Sequence, residues 1–282
     1  MSRPRIASPA TLAALAVLSW SGFARAEDAP APPDPALQAA VEGESRNPRF
    51  LARDAVRHPV DELTFFGLQP GMTVVELWPT GGYWTEILAP YLREGGGSYV
   101  AALEQQRPGT PEGEAALKRG AYFKRRLAED PALFAGVKLA SFGPATDAIV
   151  PDNSADMVLA FRDLHLWMKQ GFAEEALVAC YKALKPGGIL GLVDHRGNRA
   201  GEQDLKAADG YVREDYAKGL AKLAGFEFVA ASEIEANPKD TADWPRGVTT
   251  LGPTFALGAQ DRDRYAAVGE PDNFVLKFRK PL

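Results

Sequence analysis

The feature that most constrains this chain is a regular alternation of short β-branched runs and longer amphipathic stretches from Arg57 to the C-terminus. Strand and helix repeated in that order predict a parallel sheet covered by helices on both faces. A first core strand is expected at residues 73–77, after the turn Gln69-Pro70-Gly71, and a helix at 84–92. Further strands are expected at 98–103, 137–142, 157–161, 189–193, 226–234 and 274–278. Helices are expected at 112–127, carrying Leu117, Tyr122 and Leu127, at 172–184, with a stripe of Leu177, Tyr181 and Leu184, and at 213–223. The uninterrupted apolar run 189–193 suits a strand buried on both faces.

The region ahead of this pattern has a different character. Arg3 and Arg5 precede an apolar run at 10–18 and the small-residue motif Ala24-Arg25-Ala26, the layout of a cleaved signal peptide over residues 1–26. The run is shorter than the roughly 20 residues a spanning helix needs. No cysteine adjoins the expected cleavage after Ala26 and no arginine pair precedes the run, so the expectation is Sec-type export to the periplasm without stable membrane insertion. An unstructured apolar N-terminus is the alternative. Residues 27–45, rich in Pro, Ala and acid, read as a disordered linker, which leaves 46–282 as the folded domain.

At 46% hydrophobic and 24% charged residues the chain is ordinary globular material, and a net charge of −5 without a basic stripe argues against a nucleic-acid partner. The basic residues at 118–126 are followed by Glu129 and Asp130 and read as a solvated helix face. Cys180 is the sole cysteine, so no intramolecular disulfide can form, and its place in a helical run suits a buried small hydrophobe more than a reactive thiol. No internal repeat is visible, and the oligomeric state is left open.

In doubly wound sheets ligands bind outside the carboxyl ends of the strands, so the residues after each strand matter most. The first strand ends in Glu76-Leu77-Trp78-Pro79-Thr80-Gly81-Gly82-Tyr83-Trp84-Thr85, an acid followed by a turn with two glycines and a helix. Glycine there lets a ligand approach the backbone. The G-x-G-x-x-G spacing of dinucleotide folds is missing, which disfavours a nicotinamide-dependent dehydrogenase; a plain strand-to-helix turn is the other reading.

The series Pro70-Gly71-Met72-Thr73-Val74-Val75-Glu76, the glycine turn, Glu104 near the end of the second strand, Asp156-Met157-Val158-Leu159 and Lys185-Pro186-Gly187-Gly188 resembles a class I S-adenosylmethionine-dependent methyltransferase. Within that class Glu76-Leu77-Trp78-Pro79, Phe161-Arg162-Asp163-Leu164-His165, Val193-Asp194-His195-Arg196 and Asn237-Pro238-Lys239-Asp240-Thr241 resemble an exported bacterial group. The resemblance implies an α/β, Rossmann-like fold for residues 46–282, with a seven-stranded, mostly parallel sheet, an antiparallel last strand beside the sixth, and helices on both faces. It implies S-adenosyl-L-methionine as cofactor, with Glu76, Pro79, Thr80, Gly81 and Gly82 at its amino-acid end and Glu104 on the ribose hydroxyls. Asp147 is placed to face the adenine amino group or is a plain loop acid. Trp78 and Thr80 stand where the wider class carries glycines, and Gly82 matches.

His165 follows the fourth strand and His195 the fifth, so both should open onto the same edge. Imidazole suits deprotonation of an oxygen or nitrogen acceptor, and Asp163 or Asp194 would orient it. His165, His195, Asp163 and Asp194 are therefore the candidate catalytic residues; the same four could instead hold a divalent ion, but no two have the i, i+4 spacing of a strong metal motif, and no metal is expected. His58, ahead of Pro59, reads as structural, and Trp167 as pocket wall or core. Residues 235–272 are too long for an ordinary connection and read as a lid-like insertion or a wrap over the sheet edge. The combined expectation is a methyltransferase acting on a small-molecule O or N acceptor. The alternative is a non-catalytic exported binding protein that kept the fold.

Overall fold

The computed structural model describes residues 34–144, 146, 148–198 and 200–282. The expected signal peptide, residues 27–33 of the expected linker, and Asp147 lie outside the described residues.

The described residues open with four short helices, α1 (Pro35–Val41), α2 (Pro48–Leu51), α3 (Asp54–Arg57) and α4 (Pro59–Phe66). Strands and helices then alternate as β1 (Thr73–Leu77), α5 (Thr85–Glu94), β2 (Ser98–Glu104), α6 (Pro111–Glu129), β3 (Lys138–Phe142), β4 (Ala155–Phe161), α7 (Leu164–Gln170), α8 (Ala173–Ala183) and β5 (Leu184–His195). The last third holds α9 (Glu214–Leu223), β6 (Glu227–Ser232), β7 (Pro245–Val248), α10 (Arg262–Val268) and β8 (Asn273–Arg279). Seven strands form one sheet in the order β3-β2-β1-β4-β5-β8-β6. β1 to β5 pair in parallel, and β8 runs antiparallel between β5 and β6. This is the expected α/β, Rossmann-like architecture.

Alternation along the strands builds a core on each face. Val75, Leu77, Val158 and Ala160 face one layer with α7, α8 and α9, while Val74, Met157 and Leu159 face the other with α1, α4, α5 and α6. Cys180 is fully buried in the first layer, and burial raises its thiol pKa, as fits a packing role. On α6 the buried residues are Gly113, Ala116 and Phe123; of the expected apolar set Leu127 packs against the core, while Leu117 and Tyr122 are exposed.

The expected disordered linker at 27–45 is corrected over its described part. Asp34 accepts a hydrogen bond from the Ala36 amide at 2.9 Å as N-cap, and Pro35 occupies the first helical position. Leu37 and Val41, spaced i and i+4, are buried against α4 and α5, and the Tyr91 hydroxyl donates to Asp34 at 2.7 Å. The Pro- and Ala-rich composition obscured a two-turn helix with one apolar stripe.

Candidate active site

The turn after β1 is built on three left-handed residues. Trp78 has φ 43°, Thr80 φ 44° and Gly82 φ 88°. The two positions where the sequence replaces glycine thus keep the backbone that glycine would favour, at a cost of about 1–2 kcal/mol per non-glycine residue. Packing holds them there. The Trp78 indole donates to the Phe142 carbonyl at 2.9 Å, lies edge-on to Trp167 with ring centres 6.2 Å apart, and is 6% exposed. The Thr80 hydroxyl donates to the Trp78 carbonyl at 3.1 Å.

Beside this turn, at the carboxyl edge of β1, β2 and β4, lies a cavity of about 470 Å³. Its lining is Glu76 and residues 78–81, Glu104 and Asp163 at the ends of β2 and β4 on either side of β1, and a roof of Phe50, Arg53 and Arg57 from the α2–α3 segment. Trp84 stacks on Phe161 along one side, with ring centres 4.2 Å apart. Glu76 is 2% exposed; burial pushes its carboxyl up to about 8, against hydrogen bonds from the hydroxyls of Tyr99 and Thr85. Burial also raises Asp163 well above the usual carboxylate range, helped by neighbouring Asp194 and Glu76, and its Oδ2 has no partner. Glu104 accepts from Gln106 at 2.9 Å and from two nitrogens of Arg119, which leaves one acceptor position on Oε1.

The histidines meet at the ends of β4 and β5, with ring centres 5.1 Å apart. Asp194, buried and ionised, accepts from His165 Nδ1 at 2.8 Å and from the amides of His165 and His195 at 2.9 and 2.7 Å. Burial alone would raise Asp194, but the adjacent His165 charge and these hydrogen bonds hold it below the usual range. His195 Nδ1 lies 2.7 Å from Asn273 Oδ1, and because the Asn273 amide nitrogen donates to Glu235 at 2.7 Å, Oδ1 is the accepting atom. Each ring therefore carries a proton on Nδ1, so that in the neutral form the lone pair lies on Nε2. Burial, followed by the His165 charge, pushes His195 down to about 3, so it stays neutral. One ligand atom each from His165, Asp194 and His195 lie within 4.8 Å of one another, the set that would serve a divalent ion, though three N–H groups already occupy Asp194.

Among solved structures the chain is similar to a SAM-dependent methyltransferase from Aquifex aeolicus, 15% identical over 83% of this chain and 93% of that one, with a TM-score of 0.54. It is also similar to the cyclase SpnF, 18% identical over 87% of this chain and 92% of that one, with a TM-score of 0.56. The fold is that of the class I methyltransferases. No protein-family profile and no curated protein sequence matches the chain.

Within this methyltransferase fold the sequence-derived residues separate into two groups. Glu76, Pro79, Thr80, Gly81, Glu104 and Asp163 line the cavity; Gly82 is buried beneath it, where a side chain would meet Phe123 and Thr85. His165, Asp194 and His195 form a neighbouring cluster outside the cavity lining. Asp163 makes no hydrogen bond to either histidine: Asp194 orients His165 and Asn273 orients His195. The long segment 235–272 contributes no residue to the cavity lining. Its Val248 packs instead on Gly210, where a side chain would not fit, next to His165.

The residues that the sequence did not single out are arginines. Arg53 and Arg57, at the two ends of α3, and Arg162, just after β4, line the cavity, and two of them are tied to the long segment: Arg53 to Glu270 at 2.6 Å and Arg162 to Glu235 at 2.6 Å. Glu62, fully buried on α4, is pushed up by burial and by Glu235. One local signal existed: Glu62 shares its helix face with Pro59 and Phe66, an acid on an apolar stripe.

Proposed function

We propose that this chain is an S-adenosyl-L-methionine-dependent methyltransferase acting on an oxygen or nitrogen of a small-molecule acceptor. The observation that carries the reading is the turn Trp78 to Gly82, whose left-handed backbone is kept despite two strained residues and opens onto a cavity flanked by strand-end acids. Strain of this kind persists where surrounding structure holds it for a purpose. The cavity also fits the cofactor chemically. Arg57 Nε, Asp163 Oδ2 and Trp84 Nε1 are buried polar atoms without partners in its lining, and Glu104 keeps one acceptor position for a ribose hydroxyl.

Held by this lining, S-adenosyl-L-methionine would supply an electrophilic methyl group. The protein's part is positioning and one proton. His165 sits between Asp163 and Leu166, both of which line the cavity, and Asp194 fixes its Nδ1–H so that Nε2 receives the proton the acceptor sheds. His195 is too weak a base for that task at about 3 and serves to orient the acceptor through its Nε2 lone pair. Segment 235–272 acts as the lid of the histidine side. The signal-peptide pattern at 1–26 supports a periplasmic location for the activity, and N-terminal sequencing of periplasmic protein, expected to begin at Glu27, tests it.

A non-catalytic binding role is the second reading, favoured by the prior engagement of Glu104 by Arg119 and Gln106. Calorimetry with S-adenosylmethionine and S-adenosylhomocysteine decides: affinity in the micromolar range supports methyl transfer, and no heat at millimolar ligand ends it.

A further inference from the structure

Four arginines line the cavity, and three of them are neutralised within the protein. Arg53 is held by Glu270, Arg162 by Glu235 and Arg119 by Glu104. Arg57 is different. Its guanidinium lies 4.4 Å above the centre of the Tyr83 ring, is 8% exposed, and among the described residues donates no hydrogen bond; its Nε is sealed from solvent. Burial and the nearby charges of Arg162 and Arg53 bring it down to about 9, which still leaves it cationic at neutral pH. A buried cation without a hydrogen-bonding acceptor is unfavourable by several kcal/mol unless something else supplies the anion. The acids that act on it, Glu235 and Glu270, are already bonded to Arg162 and Arg53, while burial raises Glu76 and Asp163 in the same lining.

Among the described residues the charged or ionisable groups with unsatisfied atoms in the lining are one cation and one carboxyl, Arg57 and Asp163, beside the indole N–H of Trp84, and Glu76 belongs to the same lining. We propose that Arg57 receives the carboxylate of an α-amino-acid group while Asp163 and Glu76 face its ammonium, making this end of the cavity a zwitterion subsite. A planar guanidinium takes a carboxylate through two parallel hydrogen bonds, and its fixed position over Tyr83 removes the ordering cost. The ammonium in turn favours ionisation of the acids, so ligand binding settles charges that the free protein leaves unpaired. The assignment rests on the methyltransferase reading in one respect: it makes the methionyl end of the cofactor the expected occupant.

The test is calorimetric and needs no turnover. The wild-type protein is titrated with S-adenosylhomocysteine, with its carboxyl methyl ester, and with 5′-methylthioadenosine, which lacks the amino-acid group. The expected result is about 30-fold weaker binding for the ester and for methylthioadenosine, the size of a charged hydrogen-bond pair. In Arg57→Met, S-adenosylhomocysteine drops to within about fivefold of methylthioadenosine. Methylthioadenosine itself keeps its wild-type affinity. Equal binding of acid and ester overturns the proposal whether or not the variant folds, and so does a uniform loss of all three ligands in a folded Arg57→Met. If the wild type binds none of the nucleosides, the methyltransferase reading fails. The subsite is then judged by L-methionine against 3-(methylthio)propylamine in a thermal-shift titration: a preference for the amino acid that disappears in Arg57→Met keeps it, and no preference removes it.

Discussion

Replacing Glu76 by glutamine should reshape the pH dependence of stability. The carboxyl is 2% exposed and burial pushes it from an ordinary 4.5 up to about 8, with Tyr99, Thr85 and Arg57 acting the other way. In the unfolded chain the group loses its proton near 4.5, so between that pH and 8 the folded protein holds a proton that the unfolded chain does not. The stabilisation is complete below the unfolded value and is lost as pH rises through the folded one. The slope is about 1.4 kcal/mol per pH unit, so from pH 5 to pH 7 this one group removes roughly 2.5 kcal/mol of stability. Glu62 and Asp163 are raised for the same reason and add to the wild-type slope, which is why the difference between proteins is the quantity to measure.

Glutamine keeps the shape and an oxygen that can accept from the Tyr99 hydroxyl, but carries no titrating proton. Urea unfolding followed by tryptophan fluorescence at pH 5, 6, 7 and 8, extrapolated linearly to water at constant m, gives both profiles. Glu76→Gln should lose about 2.5 kcal/mol less than wild type between pH 5 and pH 7, and the two curves should cross so that the variant is the more stable protein at pH 8. Parallel curves would mean that Glu76 is already ionised in the folded protein at neutral pH, and the argument from its burial would be wrong.

Thr80→Gly should stabilise the fold by about 0.5–1 kcal/mol, because relief of about 1–2 kcal/mol of left-handed strain exceeds the added freedom of the unfolded chain. Thr80→Ala keeps the strain and loses the bond to the Trp78 carbonyl, so a glycine variant with a lower urea midpoint than the alanine variant contradicts the strain account. Glu104→Ala should weaken S-adenosylhomocysteine binding about tenfold or more in calorimetry while the unfolding midpoint holds, and unchanged affinity would move the ribose elsewhere. His165→Gln should cut kcat by about 100-fold or more, with KM for the cofactor within about threefold; a matching loss of cofactor affinity would argue against a proton-accepting role.

The scaffold was readable because each of its signals is local. Runs such as Thr73–Leu77 and the central stretch of β5 announce strands by β-branching and apolar continuity, and the acids at strand ends follow at once from the strand limits. The turn conformation was not readable, since Trp78 and Thr80 argue against left-handed backbone by themselves. What holds Trp78 in place is an aromatic pocket assembled from Phe142, Trp167 and Phe172, residues 64 to 94 positions away. The arginine network escaped for a related reason. Arg53, Arg57, Arg162, Glu235 and Glu270 each look like surface charges in their own neighbourhoods, and only the closure of the roof and the long segment onto the sheet edge brings them together.

The histidines show where local reading stops and register takes over. Once β4 and β5 are adjacent parallel strands, residues just past their ends must approach one another, and His165 with Asp194 follows from strand order alone. The partner of His195 does not. It is set by the antiparallel ladder in which His195 stands opposite Asn273 and Asp194 opposite Phe274. The side chain at the last register position of β5 finds its hydrogen-bond partner in the residue that β8 places opposite it, and β8 lies there because the chain inserts it between β5 and β6. Asn273 in turn bonds Glu235, which holds Arg162 at the cavity wall. The insertion of one antiparallel strand thus fixes the tautomer of a histidine and links it, through an amide and a carboxylate, to the cation beside the candidate cofactor site; a change at Asn273 should be felt at both.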